Sequence, residues 1–311
     1  MGNASSEYTP IYQTTMSSAQ HNYNVGASIA IPLGEFTNRK KKLNKYRYDI
    51  EQLQYAKEEI VENWLPRYTK RQLDEFEPYI LLTNFDKYVE IFAEHFNVPI
   101  LGKDANMISA TAHGMTIINF GMGSPNAAII MDLLSAIKPK ACLFLGKCGG
   151  INKKADIGDF ILPLAALRGE GTSNDYYPPE VPALPAFLLQ RAVSSAIRDS
   201  AHDYWTGTVY TTNRRIWEHD EAFKEYLLKT RAMCVDMETA TLFVCGFYNH
   251  IPTGALLLVS DQPMIPEGVK TEASDRLVTE RYVEDHVRIG IEAMRMIIED
   301  KRTVKHLKYE W

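Results

Sequence analysis

From about residue 57 onward, short apolar runs alternate with stretches of helical period. YILLTNF reads as a strand, YVEIFAEHF as a helix and MTIINFGMG as a strand. The next helix runs through NAAIIMDLLSAI, with Ser124 expected to cap it and Pro125 to open it, because the first turn tolerates a missing N–H. ACLFLGKCGGI is a continuous apolar strand ending in glycines, and DFILPLAAL follows it. Then come a strand in TGTVYTT, a helix in DEAFKEYLLKT, AMCVDM leading into the helix ETATLFVCGFYNH, a strand in TGALLLVSD and a last helix around DHVRIGIEAMRMIIED. Such alternation predicts an α/β layered domain with a central sheet between helices.

The chain reads differently before that. Residues up to about 22 are rich in Ser, Thr, Tyr and Asn, show no period and are expected to be mobile. YNVGASIAIPL alternates as a strand would, and NRKKKLNKYR is a dense basic run. Leu43, Tyr46, Ile50, Leu53, Ile60 and Trp64 then recur at helical spacing. Residues 1–55 are read as an appendage, a strand plus the start of a basic helix, and 56–311 as the main domain. The lysines fit a solvated helix face, with contact to nucleic acid or lipid as the alternative.

Composition narrows the partners. At 311 residues with 45% hydrophobic and 23% charged positions, the chain is an ordinary globular protein. A formal charge of −5 argues against a protein built to neutralise nucleic-acid phosphates or to coat an anionic membrane. The apolar runs fall short of the roughly 20 residues a membrane span needs, and the polar start lacks a signal-peptide core. MGNASS does fit the loose pattern for myristoylation at Gly2. Cys142, Cys148, Cys234 and Cys245 lie in or beside apolar runs without metal-ligand spacing, as buried thiols of a cytoplasmic protein would.

Candidate chemistry gathers at strand ends: FGMGSPN, LGKCGG and VSDQPM. In layered α/β domains these ends border the ligand crevice, where glycine lets a ligand approach the backbone. FGMGSPN, with Met122 and Gly123, lacks the third glycine of a dinucleotide fingerprint and can equally be a tight strand-to-helix turn. In GKCGG, Lys147 breaks an apolar run beside Gly149 where nothing structural asks for a cation. Asp261 is either a general acid with a pKa raised by burial or a turn cap before Pro263. In CVDMETATL, Asp236 and Glu238 either complement a helix dipole, at roughly 0.3 to 1 kcal/mol each, or Glu238 holds a polyhydroxylated ligand against Met237.

Taken in order, NFGMGSPNAAI, FLGKCGGI, IGDFILP, RGEGTSNDYYPPEVPALP, TGTVYTTNRRIWEHD, VDMETATLF and LLLVSDQPM resemble the AMP nucleosidases, a family of the purine nucleoside phosphorylase and uridine phosphorylase superfamily. The resemblance covers about residues 57–311. It implies a three-layer α/β/α sandwich around a mixed, partly barrel-like sheet. It also implies hydrolysis of the N-glycosidic bond of AMP by water, with no metal and no organic cofactor, in a homo-oligomer such as a hexamer.

Site residues follow by the same resemblance. The ribose-binding pair falls on Met237 and Glu238, and the purine-facing acid on Asp261. Asn174, Asp175 and Tyr176 correspond to a base-binding loop, and Lys147, Arg168, Arg214 and Arg215 are the cations expected around the 5′-phosphate. Phosphorylases of the superfamily clamp inorganic phosphate with a Gly-Asp-Pro-x-Arg loop and an Arg and Ser around a Gly-Ser-Cys-Gly segment. Here Thr83-Asn84-Phe85-Asp86 follows the first strand, Phe144 stands at the Arg position and Lys147 at the Ser position. The resemblance therefore favours water as the nucleophile, with a phosphorylase or a nucleosidase for unphosphorylated nucleosides as the alternative. A catalytically silent nucleotide-binding scaffold is the alternative of another class.

Overall fold

The computed structural model describes residues 33–300; the stretch up to about residue 22, expected to be mobile, and nearly all of the strand expected at 23–33 lie outside the described residues. The chain divides into two compact units, Met1–Gln52 and Leu53–Trp311. In the first unit the described residues are the leading turns of α1 (Leu33–Thr69), exposed from Arg39 through Arg47. The stripe read from its periodicity does not behave as a core face. Leu43, Tyr46, Ile50, Leu53, Ile60 and Trp64 are all exposed, while Val61 and Leu65 near the helix end are buried.

The second unit is built on eight strands: β1 (Tyr79–Thr83), β2 (Ser109–Ala112), β3 (Met115–Asn119), β4 (Ala141–Gly150), β5 (Phe160–Gly169), β6 (Tyr204–Thr212), β7 (Cys234–Asp236) and β8 (Thr253–Asp261). They lie in the order β2-β3-β1-β4-β7-β6-β5-β8, and β8 also pairs with β4. That extra pairing closes β4, β7, β6, β5 and β8 into a ring, the barrel-like part of a mixed sheet whose β1, β3 and β4 run parallel. Helices α2 (Asp86–Phe96), α3 (Ser124–Leu134), α4 (Phe187–Asp199), α5 (Glu221–Thr230), α6 (Thr239–Tyr248) and α7 (Glu272–Asp300) surround it.

Both sheet faces are covered, which is why the central strands read as unbroken apolar runs. Successive β1 residues go to opposite sides: Ile80 and Leu82 pack with α3 and α6, and Tyr79 and Leu81 with α2, α4 and α7. The three-layer α/β/α arrangement is thus present. Among the described residues no helix is long and apolar enough to cross a membrane.

A polar knot joins the ends of α3 and α6 that lie away from the cleft. Asp132 Oδ1 accepts from Lys57 Nζ at 3.1 Å and from Asn249 at 2.9 Å, and Oδ2 accepts from the Tyr176 hydroxyl at 2.7 Å. One carboxylate thus ties α1, α3, the segment after β5 and the turn after α6.

Phe144, at the position where the resemblance puts an arginine in phosphorylases, is fully buried in β4, its ring 5.8 Å from that of Phe120. Phe144→Ala should lower unfolding free energy by about 3–5 kcal/mol, read from urea denaturation. A loss below about 1 kcal/mol would mean that the ring is not a packed part of the core.

Candidate active site

Five strand ends and two helix starts meet in one cleft. It is lined by Asn84 and Phe85 after β1, Met122 before α3, Lys147 to Gly149 at the end of β4, Thr212 to Glu218 after β6, Val235 to Glu238, and Ser260, Asp261 and Lys270. A separate cavity of about 630 Å³ lies between α2 and α7. Its arginines, Arg288 and Arg295, are ion-paired with glutamates of α7 itself, and neither strand-end acid reaches it.

β7 delivers the acidic pair. It runs parallel to β6, pairing Asp236 with Thr211, and antiparallel to β4, pairing Val235 with Gly149. Asp236 turns inward: Oδ1 accepts from the Thr211 hydroxyl at 2.7 Å, and Oδ2 from the N–H of Thr239 at 2.8 Å and of Glu238 at 3.3 Å. The Thr239 hydroxyl donates to the same oxygen. Asp236 is therefore the anion at the start of α6, where free N–H groups collect. Burial raises its pKa, against the pull of these bonds.

Glu238 points the other way, to the start of α3. Gly123 N–H donates to Oε1 at 2.7 Å and Met237 N–H to Oε2 at 3.2 Å. Gly123 has φ 92°, a conformation that costs a side-chain-bearing residue dearly, so glycine is what lets its N–H face the carboxylate. Ser124 does not cap α3. Gly123 is the N-cap, Ser124 is the first helical residue, and its hydroxyl donates to the Met237 carbonyl at 2.6 Å, lashing the two helix starts together. Glu238 is 2% exposed, and burial, followed by the charge of Asp236, pushes its carboxyl up to about 8.

Asp261 ends β8. A bulge between Cys148 and Gly149 shifts the β4–β8 register so that Gly149 faces Asp261. A Cβ on Gly149 would sit 3.2 Å from Asp261 Oδ2 and 2.9 Å from Pro263, so only glycine allows this approach without displacement. The Ser260 hydroxyl donates to Oδ1 at 2.6 Å. Burial raises Asp261, while Ser260 and the charges of Lys270 and Arg215 hold it down.

The cations divide. Lys147 lines the cleft, but its ammonium, 8% exposed as a residue, is bound to Asp275 Oδ1 at 2.9 Å and Thr279 at 2.8 Å. Lys270 shares that carboxylate at 2.9 Å, and the Phe85 ring lies 4.6 Å from Lys147 and 5.8 Å from Lys270. Arg214 pairs with Asp220 at 2.9 Å and Arg215 with Glu218 at 3.6 Å, both half exposed.

Four expected site residues lie outside the cleft. Arg168 spends its five donors on its own loop: Ser173 Oγ, the carbonyls of Pro178, Val181 and Tyr177, and Asn174 Oδ1. No N–H remains for a phosphate. Asn174 thus braces Arg168, Asp175 sits in the same 3-10 turn, and Tyr176 faces Asp132 rather than a ligand. The cleft takes its aromatic and polar wall instead from Trp217, Glu218, Thr212, Phe85 and Asn84, which sequence reading had not singled out. Trp217 stands within the quoted TTNRRIWEHD, two residues after the second arginine, and is the available signal.

A family model for the phosphorylase superfamily matches residues 78–297. An AMP nucleosidase of Escherichia coli is 29% identical over 75% of this chain, which spans 57% of that protein's length. A uridine phosphorylase of Treponema pallidum is 26% identical over 71% of this chain and 89% of its own. The crystal structure of an AMP nucleosidase from Bacteroides thetaiotaomicron is 61% identical, covering 78% of this chain and 99% of that one with a TM-score of 0.70.

The Lys147–Asp275 pair sets a pH dependence. Burial acts to raise Asp275, but its bonds to Lys270 and Lys147 outweigh it and hold the carboxyl below its ordinary value. A depressed pKa contributes stability above the unfolded value of about 3.9 that is lost as pH falls through the folded one. Asp275→Asn should therefore be less stable than wild type at pH 7, with the gap closing below about pH 4 in urea titrations. A gap that persists into acid would detach the effect from ionisation.

Proposed function

Because this chain belongs to the phosphorylase superfamily, we propose that it hydrolyses the N-glycosidic bond of AMP, giving adenine and ribose 5-phosphate. The observation that carries the proposal is one cleft holding two carboxyls displaced upward by burial, Glu238 and Asp261, among the cations Lys147, Lys270, Arg214 and Arg215. The 61% identity to the Bacteroides AMP nucleosidase supports the choice of substrate.

Breaking C1′–N9 leaves positive charge on the sugar and negative charge on the purine, and each must be met as it develops. Asp261, raised by burial, holds a proton more readily than a surface carboxyl and gives it to purine N7. Glu238 accepts from the ribose hydroxyls. Their donation, and the charge growing on the sugar, draw it back to the anionic form that stabilises the ring. Met237 and Trp217 supply apolar faces, and the half-exposed Arg214 and Arg215 match the two charges of the 5′-phosphate.

Two features favour water over inorganic phosphate. Lys147 is committed to Asp275, and Phe144 points into the core, so the end of β4 presents no uncommitted anion clamp. Assembly as a homo-oligomer in the cytoplasm belongs to the same proposal, and sedimentation would report the oligomer.

Incubation with AMP in phosphate-free buffer should release adenine and ribose 5-phosphate. Dependence on added phosphate, with a 1-phosphorylated sugar as product, would make the protein a phosphorylase. Asp261→Asn should lower kcat roughly 100- to 1,000-fold with AMP still bound; near-normal turnover would remove Asp261 from the acid role. Arg214→Ala and Arg215→Ala should raise KM for AMP well above any effect on adenosine, and equal effects on both would sink the phosphate assignment.

A further inference from the structure

Asn84 directly follows β1 and lines the cleft with Glu238. Its side-chain amide is among the groups that pull the Glu238 carboxyl down, and the two oxygens of that carboxyl receive the N–H groups of Gly123 and Met237. A carboxyl fixed by donors takes the amide's NH₂ side, so the orientation of Asn84 is set and its carbonyl oxygen is turned away from Glu238. That oxygen, Oδ1, is buried and has no hydrogen-bond partner among the described residues. Buried amide oxygens are nearly always satisfied, and one that is not, in a ligand cleft, calls for an O–H from something that binds there. The next residue, Phe85, turns its ring to Lys147 and Lys270, the cationic part of the same cleft.

We propose that Asn84 Oδ1 accepts a hydrogen bond from the attacking water and fixes it toward the anomeric carbon. The inference rests on the hydrolase reading above and names a residue that reading leaves out. Glu238 keeps lone pairs for the ribose hydroxyls after its main-chain bonds, so the sugar does not need Asn84. An amide oxygen orients a water without taking its proton, which leaves the second O–H for Glu238. The water oxygen bonds C1′, and the C1′–N9 electron pair leaves with adenine, protonated by Asp261. The proton lost by water passes through Glu238 to solvent, from which Asp261 is reprotonated.

The test uses the full chain with AMP in phosphate-free buffer containing methanol, a competing nucleophile. Asn84→Ala should lower kcat about 10- to 100-fold, the loss of one hydrogen bond to the reacting molecule in a dry site, with KM within about threefold. It should also raise the ratio of methyl riboside 5-phosphate to ribose 5-phosphate, because water loses its anchor. Asn84→Leu, close in shape but without an acceptor, should shift the ratio in the same direction, and it carries the comparison if Asn84→Ala does not fold. Unchanged kcat, or a raised KM with an unchanged product ratio, would overturn the assignment and give Oδ1 to the ribose. Wild-type protein that releases no adenine would overturn the hydrolase reading itself, and the water assignment with it.

Discussion

The site depends on a buried carboxylate that cannot be left unsatisfied. Glu238 is held by main-chain N–H groups from two different segments, Gly123 before α3 and Met237 before α6. Removing an acid from water is costly unless donors replace the lost hydration. Here those donors are helix-start amides, which have no partner inside their own helices. The carboxylate therefore fixes where α3 and α6 begin, and the Ser124–Met237 bond repeats that constraint 2.6 Å apart. Fold and site are one arrangement: the sheet brings the strand ends together, and the acid decides how the helices leave them.

The two acids of CVDMETATL divide their work through this geometry. Asp236 is enclosed by two threonines and two amides, and its charge is consumed in starting α6. Its presence nevertheless raises the neighbouring Glu238, so a structural acid tunes a functional one across a single intervening residue. Asp261 reaches a similar raised state by another route. It stands on a bulged strand against a glycine, with one hydroxyl as its short-range partner.

Much of this was legible in the sequence where the physics is local. The doubly covered strands β4 and β8 announce themselves as apolar runs, and a charge that interrupts such a run, as Lys147 and Asp261 do, marks the crevice. What was not legible depends on partners distant in the chain. RGEGTSNDYYPPE was expected as a ligand loop through the resemblance alone, yet its arginine is consumed by its own carbonyls. Lys270 and Asp275 enter the site only because the segment after β8 returns over Phe85, and no nearby pattern encodes that return. The periodicity of α1 correctly gave a helix, but the residues of its stripe are exposed among the described residues.

The Asp132 knot bears on how this architecture keeps its shape. The helices that begin at the cleft have their opposite ends fastened to one carboxylate, together with α1 and Tyr176. Helix ends ordinarily fray one at a time, as small independent openings. Joined through a common anion, these ends open together or stay closed, so each strand of the knot raises the threshold for the others. The stiffness of the cleft is thus partly set at the far end of the helices, by a residue that touches no reacting atom.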